Sequence, residues 1–96
     1  MNLEVKGVHY TITDETKDYI DKKLLKIGHH KDDIVDMIFT ITRDKNLFKE
    51  EVNINFRWGQ AAHIEHESFE LFEGIDLLFD KIEQKIKKEK EKIRKR

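Results

Sequence analysis

Polar and apolar positions alternate at the start of the chain. Leu3 and Val5 share one side, with Asn2, Glu4 and Lys6 between and around them. That two-residue period predicts a short strand over residues 2–6. A longer period follows. Thr13 is a good N-cap, and Asp14 and Glu15 suit the positive end of a helix. Thr16, Ile20, Leu24 and Ile27 then recur at helical spacing. The pattern predicts a helix over 14–27, closed by Gly28 in the left-handed position past its end.

Residues 34–42 are rich in β-branched residues and predict a second strand, with Val35, Met37, Phe39 and Ile41 on one face. Arg43 to Asn46 reads as a polar turn. Val52, Ile54 and Phe56 alternate with Asn53, Asn55 and Arg57, which marks a third strand. Trp58-Gly59-Gln60 is a hairpin turn, and Ala62 and Ile64 lie on the returning strand. Ser68 is a candidate N-cap for a second helix. Its apolar stripe is Leu71, Ile75, Leu78, Ile82 and Ile86, with Ile93 two turns later.

The predicted order is β-α-β-β-β-α. It implies an α+β fold in which a four-stranded sheet carries two helices on one face. The chain has no proline, no Ser/Gly linker and no internal repeat, so residues 1–96 read as a single domain.

Composition narrows the picture. Charged residues make up 41% of the chain and hydrophobic residues only 38%, so the core must be thin. There is no cysteine, which removes disulfides, thiolate metal sites and thiol nucleophiles. No apolar run is long enough for a membrane helix, and the first residues lack the apolar stretch of a signal peptide. A cytoplasmic protein with no membrane partner is the expectation. The formal net charge of -1 conceals a partition. Residues 81–96 hold nine basic and three acidic residues, net +6. The other eighty residues hold ten basic and seventeen acidic, net −7. Such asymmetry points to a polyanion partner; a solvated, salt-bridged helix end is the plainer alternative.

On a helical wheel of about 100° per residue, Lys81, Lys85, Lys88 and Lys92 stack along one flank of the second helix, and Lys95 continues the row. Lys22, Lys23 and Lys26 share a flank of the first helix with Tyr19. If the two flanks face each other, these seven lysines line one shallow groove suited to RNA phosphates. Lysine would position the backbone there without reading bases. Engagement of all seven implies a slope of log K against log salt of about −5. Glu65, Glu67, Glu70, Glu73 and Asp76 read as an acidic region that repels RNA. Phe39 and Phe56 read as core. Trp58 either stacks on a base or caps the sheet edge.

Five histidines raise the question of metals or acid–base chemistry. His29 and His30 are adjacent and point apart. His63, Glu65 and Glu67 share one strand face as a weak carboxylate–imidazole grouping. No metal spacing, nucleophile motif or phosphate loop is present. The expectation is a protein that is not an enzyme and has no catalytic residues, cofactor, metal or small-molecule substrate.

The sequence resembles the ribosome hibernation-promoting factor and ribosome-associated inhibitor family. The likeness lies in Leu3-x-Val5-x-Gly7, Ile12-Thr13-Asp14, Tyr19-Ile20 and Lys23-Leu24-x-Lys26-Ile27. It continues in Glu70-Leu71-Phe72-x-x-Ile75-Asp76 and Asp80-Lys81-Ile82-Glu83. The resemblance covers nearly the whole chain. It implies the same β-α-β-β-β-α fold, similar in topology to a double-stranded RNA-binding domain. It also implies a translation inhibitor of idle, stressed cells, bound to ribosomal RNA in the decoding channel of the small ribosomal subunit, where messenger and transfer RNA would sit. Lys23, Lys26, Lys81 and Lys88 match the family's basic positions, and Lys17 and Lys92 match more loosely. Lys22 and Lys85 rest on the wheel alone. The family often has Arg-Gln where this chain has Gln84-Lys85. Phe72 stands for a usual Tyr, Gly74 for a small Ala, and Gly28-His29-His30 for a more charged exit from helix 1.

The length fits the short form of the family, which implies a separate ribosome-dimerisation factor as a further partner. Two readings compete with this one. The first is a general double-stranded RNA-binding module. The second is a protein-interaction domain that uses Ile86 and Ile93 on the second helix.

Overall fold

Each predicted period becomes an element in the computed structural model, which describes residues 1–94. The order is β1 (Asn2–Val8), α1 (Asp14–Leu24), a 3₁₀ helix (Leu25–Asp33), β2 (Ile34–Asp44), β3 (Leu47–Phe56), β4 (Ala61–Ser68) and α2 (Leu71–Arg94). The strands lie in the order β1-β2-β3-β4. β1 runs parallel to β2, a pairing that needs the crossover that α1 and the 3₁₀ helix supply, and the other two pairings are antiparallel.

One face of the sheet is apolar. Met37, Phe39, Ile41, Val52, Ile54, Phe56 and Ala62 are buried there against Ile20 of α1 and Leu71, Ile75, Leu78, Phe79, Ile82 and Ile86 of α2. Phe39 and Phe79 stack at 5.4 Å between ring centroids. Both helices therefore cover one face, and the predicted stripe of α2 is buried throughout. Ile86 is part of the core, which removes it from any partner surface; Ile93 remains partly exposed.

Five local readings change. The first helix does not run to Ile27: its α-geometry ends at Leu24, and the chain tightens into the 3₁₀ helix. At three residues per turn, side chains three apart eclipse one another. Leu24, Ile27, His30 and Asp33 thus line one inward side, and Ile27 and His30 are buried. Gly28 lies inside this segment and does not adopt the left-handed cap; the glycine with positive φ is Gly59, in the β3–β4 hairpin.

In β2, a bulge between Ile34 and Asp36 inserts one extra residue. Ile34 turns into the core and Val35 turns out, 46% exposed, opposite to the alternation expected. The polar turn shrinks to Lys45-Asn46, because Arg43 and Asp44 already pair with Phe48 and Leu47.

Ser68 is the last residue of β4 and does not cap α2. The first helical bond there runs from the Gly74 amide to the Glu70 carbonyl, at 2.9 Å. The Ser68 hydroxyl instead contacts the buried Glu50 carboxyl. Thr13 does cap α1: its hydroxyl accepts from the Thr16 amide at 3.1 Å.

Candidate nucleic-acid interface

The two lysine flanks exist, but they do not face each other. α1 packs beside α2 through Tyr19, whose ring lies 4.7 Å from that of Phe72. The surface of α2 that meets α1 is acidic. Asp76 accepts hydrogen bonds from Tyr19 Oη at 2.6 Å and from Lys23 Nζ at 2.7 Å. Asp80 takes Lys26 Nζ at 3.5 Å. Burial opposes ionisation of Asp76, but the bonds from Lys23 and Tyr19 outweigh it and hold its carboxyl below the ordinary range. The same bonds raise the pKa of both Tyr19 and Lys23.

The row Lys81, Lys85, Lys88 and Lys92 lies on the opposite flank, toward β4. Lys81 Nζ donates to the Glu65 carbonyl of β4 at 3.1 Å. Lys85 and Lys92 share the carboxylate of Glu89, at 3.2 and 3.3 Å. Glu89 is only 6% exposed. Burial would raise its pKa, yet the bonds from Lys85 and Lys92 prevail and lower it. Lys22 and Lys88 are exposed and, among the described residues, pair with no carboxylate. The expected seven-lysine groove is thus replaced by two basic strips on either side of an acidic seam formed by Asp76 and Asp80. An α-helix with its side chains is about 10 Å across, so the strips are separated by roughly that width. Lys95 lies outside the described residues.

The acidic region also separates. Glu65 and Glu67 stand on the open face of the sheet, Glu70 and Glu73 are exposed at the start of α2, and Asp76 lies in the helix seam. On the open face, His63 Nε2 is 3.2 Å from Glu65 and 3.8 Å from Glu51. The close grouping is therefore Glu51, His63 and Glu65, with Glu67 outside it. Lys49 Nζ sits 3.4 Å from Glu65 and 3.7 Å from Glu51, supplying positive charge where a cation would bind. Hydrogen bonds from His63 and Lys49 lower the Glu65 pKa.

Trp58 caps the sheet edge. Its ring stacks on Phe56 at 4.8 Å and 4°, and its indole nitrogen is buried. A base cannot reach the ring face that Phe56 covers. Phe39 and Phe56 are core, as read.

Three buried polar residues escaped the sequence reading, and each had a signal. Glu50 continues the inward alternation of Val52, Ile54 and Phe56. Glu89 lies seven residues beyond Ile82, on the core stripe. His30 follows Ile27 at the 3₁₀ period. Glu50 is 1% exposed, and burial pushes its carboxyl up to about 7 although Ser68 favours the charged form. A Cβ on Gly74 would collide with this carboxyl and with Ser68 Oγ. The glycine lets α2 approach β3 and β4 closely.

With this geometry in hand, comparison with known proteins is direct. The family described as Sigma 54 modulation protein / S30EA ribosomal protein matches residues 3–94, and the chain belongs to it. Relatives named ribosome hibernation promoting factor include one from Pseudomonas putida, 31% identical over 93 residues, which span 96% of this chain and 89% of that protein. Another, from Azotobacter vinelandii, is 30% identical over 93 residues, spanning 96% and 85%. Among solved structures, a ribosomal subunit interface protein from Coxiella burnetii has the same fold, with a TM-score of 0.87, 23% identity and coverage of 94% and 98%. The N-terminal domain of Thermus thermophilus Protein Y gives a TM-score of 0.81, 25% identity and coverage of 92% and 98%.

Proposed function

We propose that this protein is a non-catalytic ribosome hibernation factor. It acts in the cytoplasm and binds ribosomal RNA of the small subunit in the decoding channel. By occupying the space of messenger and transfer RNA it inhibits translation. Residues 1–96 act as one ribosome-binding unit, and a separate dimerisation factor is the further partner this reading implies. The observation that carries the proposal is the one-signed row of Lys81, Lys85, Lys88 and Lys92 on a rigid helix of a family member, seconded by Lys22, Lys23 and Lys26 across the seam. Lysines on a helix anchored by a core stripe hold a fixed spacing, which suits phosphates along a backbone.

The ion pairs change the expected salt dependence. Lys23 and Lys26 are neutralised by Asp76 and Asp80, and Lys85 and Lys92 share one carboxylate. About four uncompensated charges remain, which gives a slope of about −3 in place of about −5. Co-sedimentation with ribosomes at increasing salt measures it. The triple variant Lys81→Glu/Lys85→Glu/Lys88→Glu is expected to stay in the supernatant while its circular dichroism is unchanged. Undiminished co-sedimentation of that variant refutes the row as the interface. Equal affinity for any A-form duplex would favour a general RNA-binding module instead.

A further inference from the structure

The acidic seam between the strips holds more carboxylates than the contact between the helices needs. Asp76 has a structural task, since it joins α1 to α2 through Tyr19 and Lys23. Asp80 and Glu83 continue the line along α2 at spacings of four and three residues, a row about 10 Å long. With Lys26, Gln84 and Lys87 they wall an open cleft of about 360 Å³. Each acid there is matched by one lysine, Asp80 by Lys26 at 3.5 Å and Glu83 by Lys87 at 3.1 Å. The bond from Lys87, with Lys26 nearby, holds the Glu83 carboxyl below the ordinary range.

These pairs hold little of the fold together. The side chains of Lys26, Asp80 and Lys87 are more than half exposed, and that of Glu83 is partly so. Exposed pairs of this kind contribute little to stability. Their effect on an approaching polyanion is larger. With neutral residues at 80 and 83, Lys26 and Lys87 would bridge the α1 strip to the row Lys81, Lys85, Lys88 and Lys92. A single phosphate chain could then cross α2 along an unbroken line of positive charge.

We propose that Asp80 and Glu83 are specificity-determining residues that exclude a phosphate backbone from the seam and confine RNA to the two strips. The proposal rests on the RNA-binding function proposed above and deepens it. The ligand selected carries phosphates on both sides of a gap roughly one helix wide, about 10 Å. A folded RNA presents such an arrangement, whereas a flexible single strand does not hold it. Non-specific affinity is a sum of phosphate contacts, and discrimination can be built by repulsion of the wrong ligand. A chain that follows any line of positive charge loses contacts at the seam. A ligand with no phosphate there loses nothing.

The test compares poly(U), a flexible single strand, with ribosomes. The variant is Asp80→Asn/Glu83→Gln, which leaves Asp76 and both lysine strips in place. Fluorescence anisotropy measures poly(U) binding over a range of salt, and co-sedimentation measures ribosome binding. The variant is expected to bind poly(U) more tightly, by up to about fivefold for each freed lysine at about 0.1 M salt, with a slope of log K against log salt steeper by about 1.4. Affinity for ribosomes is expected to rise by a smaller factor, so the preference for ribosomes falls. The charge-preserving variant Asp80→Glu/Glu83→Asp keeps the parent's slope, which separates charge from packing. Unchanged poly(U) affinity and slope in the neutral variant overturn the proposal, as does an equal gain on poly(U) and on ribosomes. Circular dichroism checks the fold, and the single variants Asp80→Asn and Glu83→Gln carry the same test with a slope change of about 0.7 each. Failure of the parent protein to sediment with ribosomes refutes the function proposed above. The poly(U) comparison needs no ribosome and decides the seam separately.

Discussion

Replacing Glu50 with glutamine tests whether a buried charge sets the pH dependence of stability. The carboxyl lies between β3 and α2, beneath Gly74 and bonded by Ser68, and burial raises its pKa from 4.5 to about 7. The raised value fixes the sign. Between about pH 4.5 and pH 7 the native state keeps a proton that the unfolded chain has released. The proton's stabilisation is complete below the unfolded value and is lost as pH rises through the folded one. A difference of about 2.5 pK corresponds to about 3 kcal/mol, a large share of the stability of a domain this size.

Glutamine keeps the shape and the hydrogen-bonding capacity but carries no charge. Urea unfolding followed by fluorescence of Trp58, the single tryptophan, measures the effect. At about pH 4, below the unfolded value, the variant and the parent should be nearly equal. At about pH 8 the variant should be more stable by up to about 3 kcal/mol, a midpoint shift of about 2–3 M urea. The lowered pKa of His30 gives the opposite trend, a loss of stability as pH falls through the ordinary histidine range. That trend is common to both proteins and cancels in the difference. Parallel pH profiles for the two proteins would refute the reasoning.

Gly74→Ala should destabilise by about 1–3 kcal/mol despite the better helix propensity of alanine, because the added methyl meets the Glu50 carboxyl and Ser68; a gain in urea midpoint would show that α2 does not need the close approach. In β2, Ile34→Ala should cost about 2–4 kcal/mol and Val35→Thr less than about 0.5 kcal/mol; equal losses would place the bulge wrongly.

Much of the fold was legible because its signals are local. Alternation located the strands, the 3.6-residue period located α2 and its core stripe, and Thr13 marked the start of α1. The misreadings were also local in cause. Val35 and Ile34 exchange places because one inserted residue reverses strand phase. Ile27 and His30 point inward together because three residues per turn replace 3.6. Ser68 had the right chemistry for a cap, but its hydroxyl is engaged by a glutamate eighteen residues earlier in the chain.

The lysine rows mark the boundary between the two kinds of information. A helix's own periodicity decides which residues share a flank, so Lys81, Lys85, Lys88 and Lys92 could be grouped from sequence; of the other group Lys22 and Lys23 lie on α1, while Lys26 falls in the 3₁₀ segment beyond its end. Periodicity measures angles about one axis only. Which flank meets which neighbour depends on how α2 settles on β3 and β4, and that depends on Gly74 and on Phe72 packing against Tyr19. Tertiary structure therefore placed Asp76 and Asp80 at the helix seam and turned the long lysine row toward β4. It also closed Glu50, Glu89 and His30 away from water. The charge of each strip was set by sequence; its position and its compensation were set by packing.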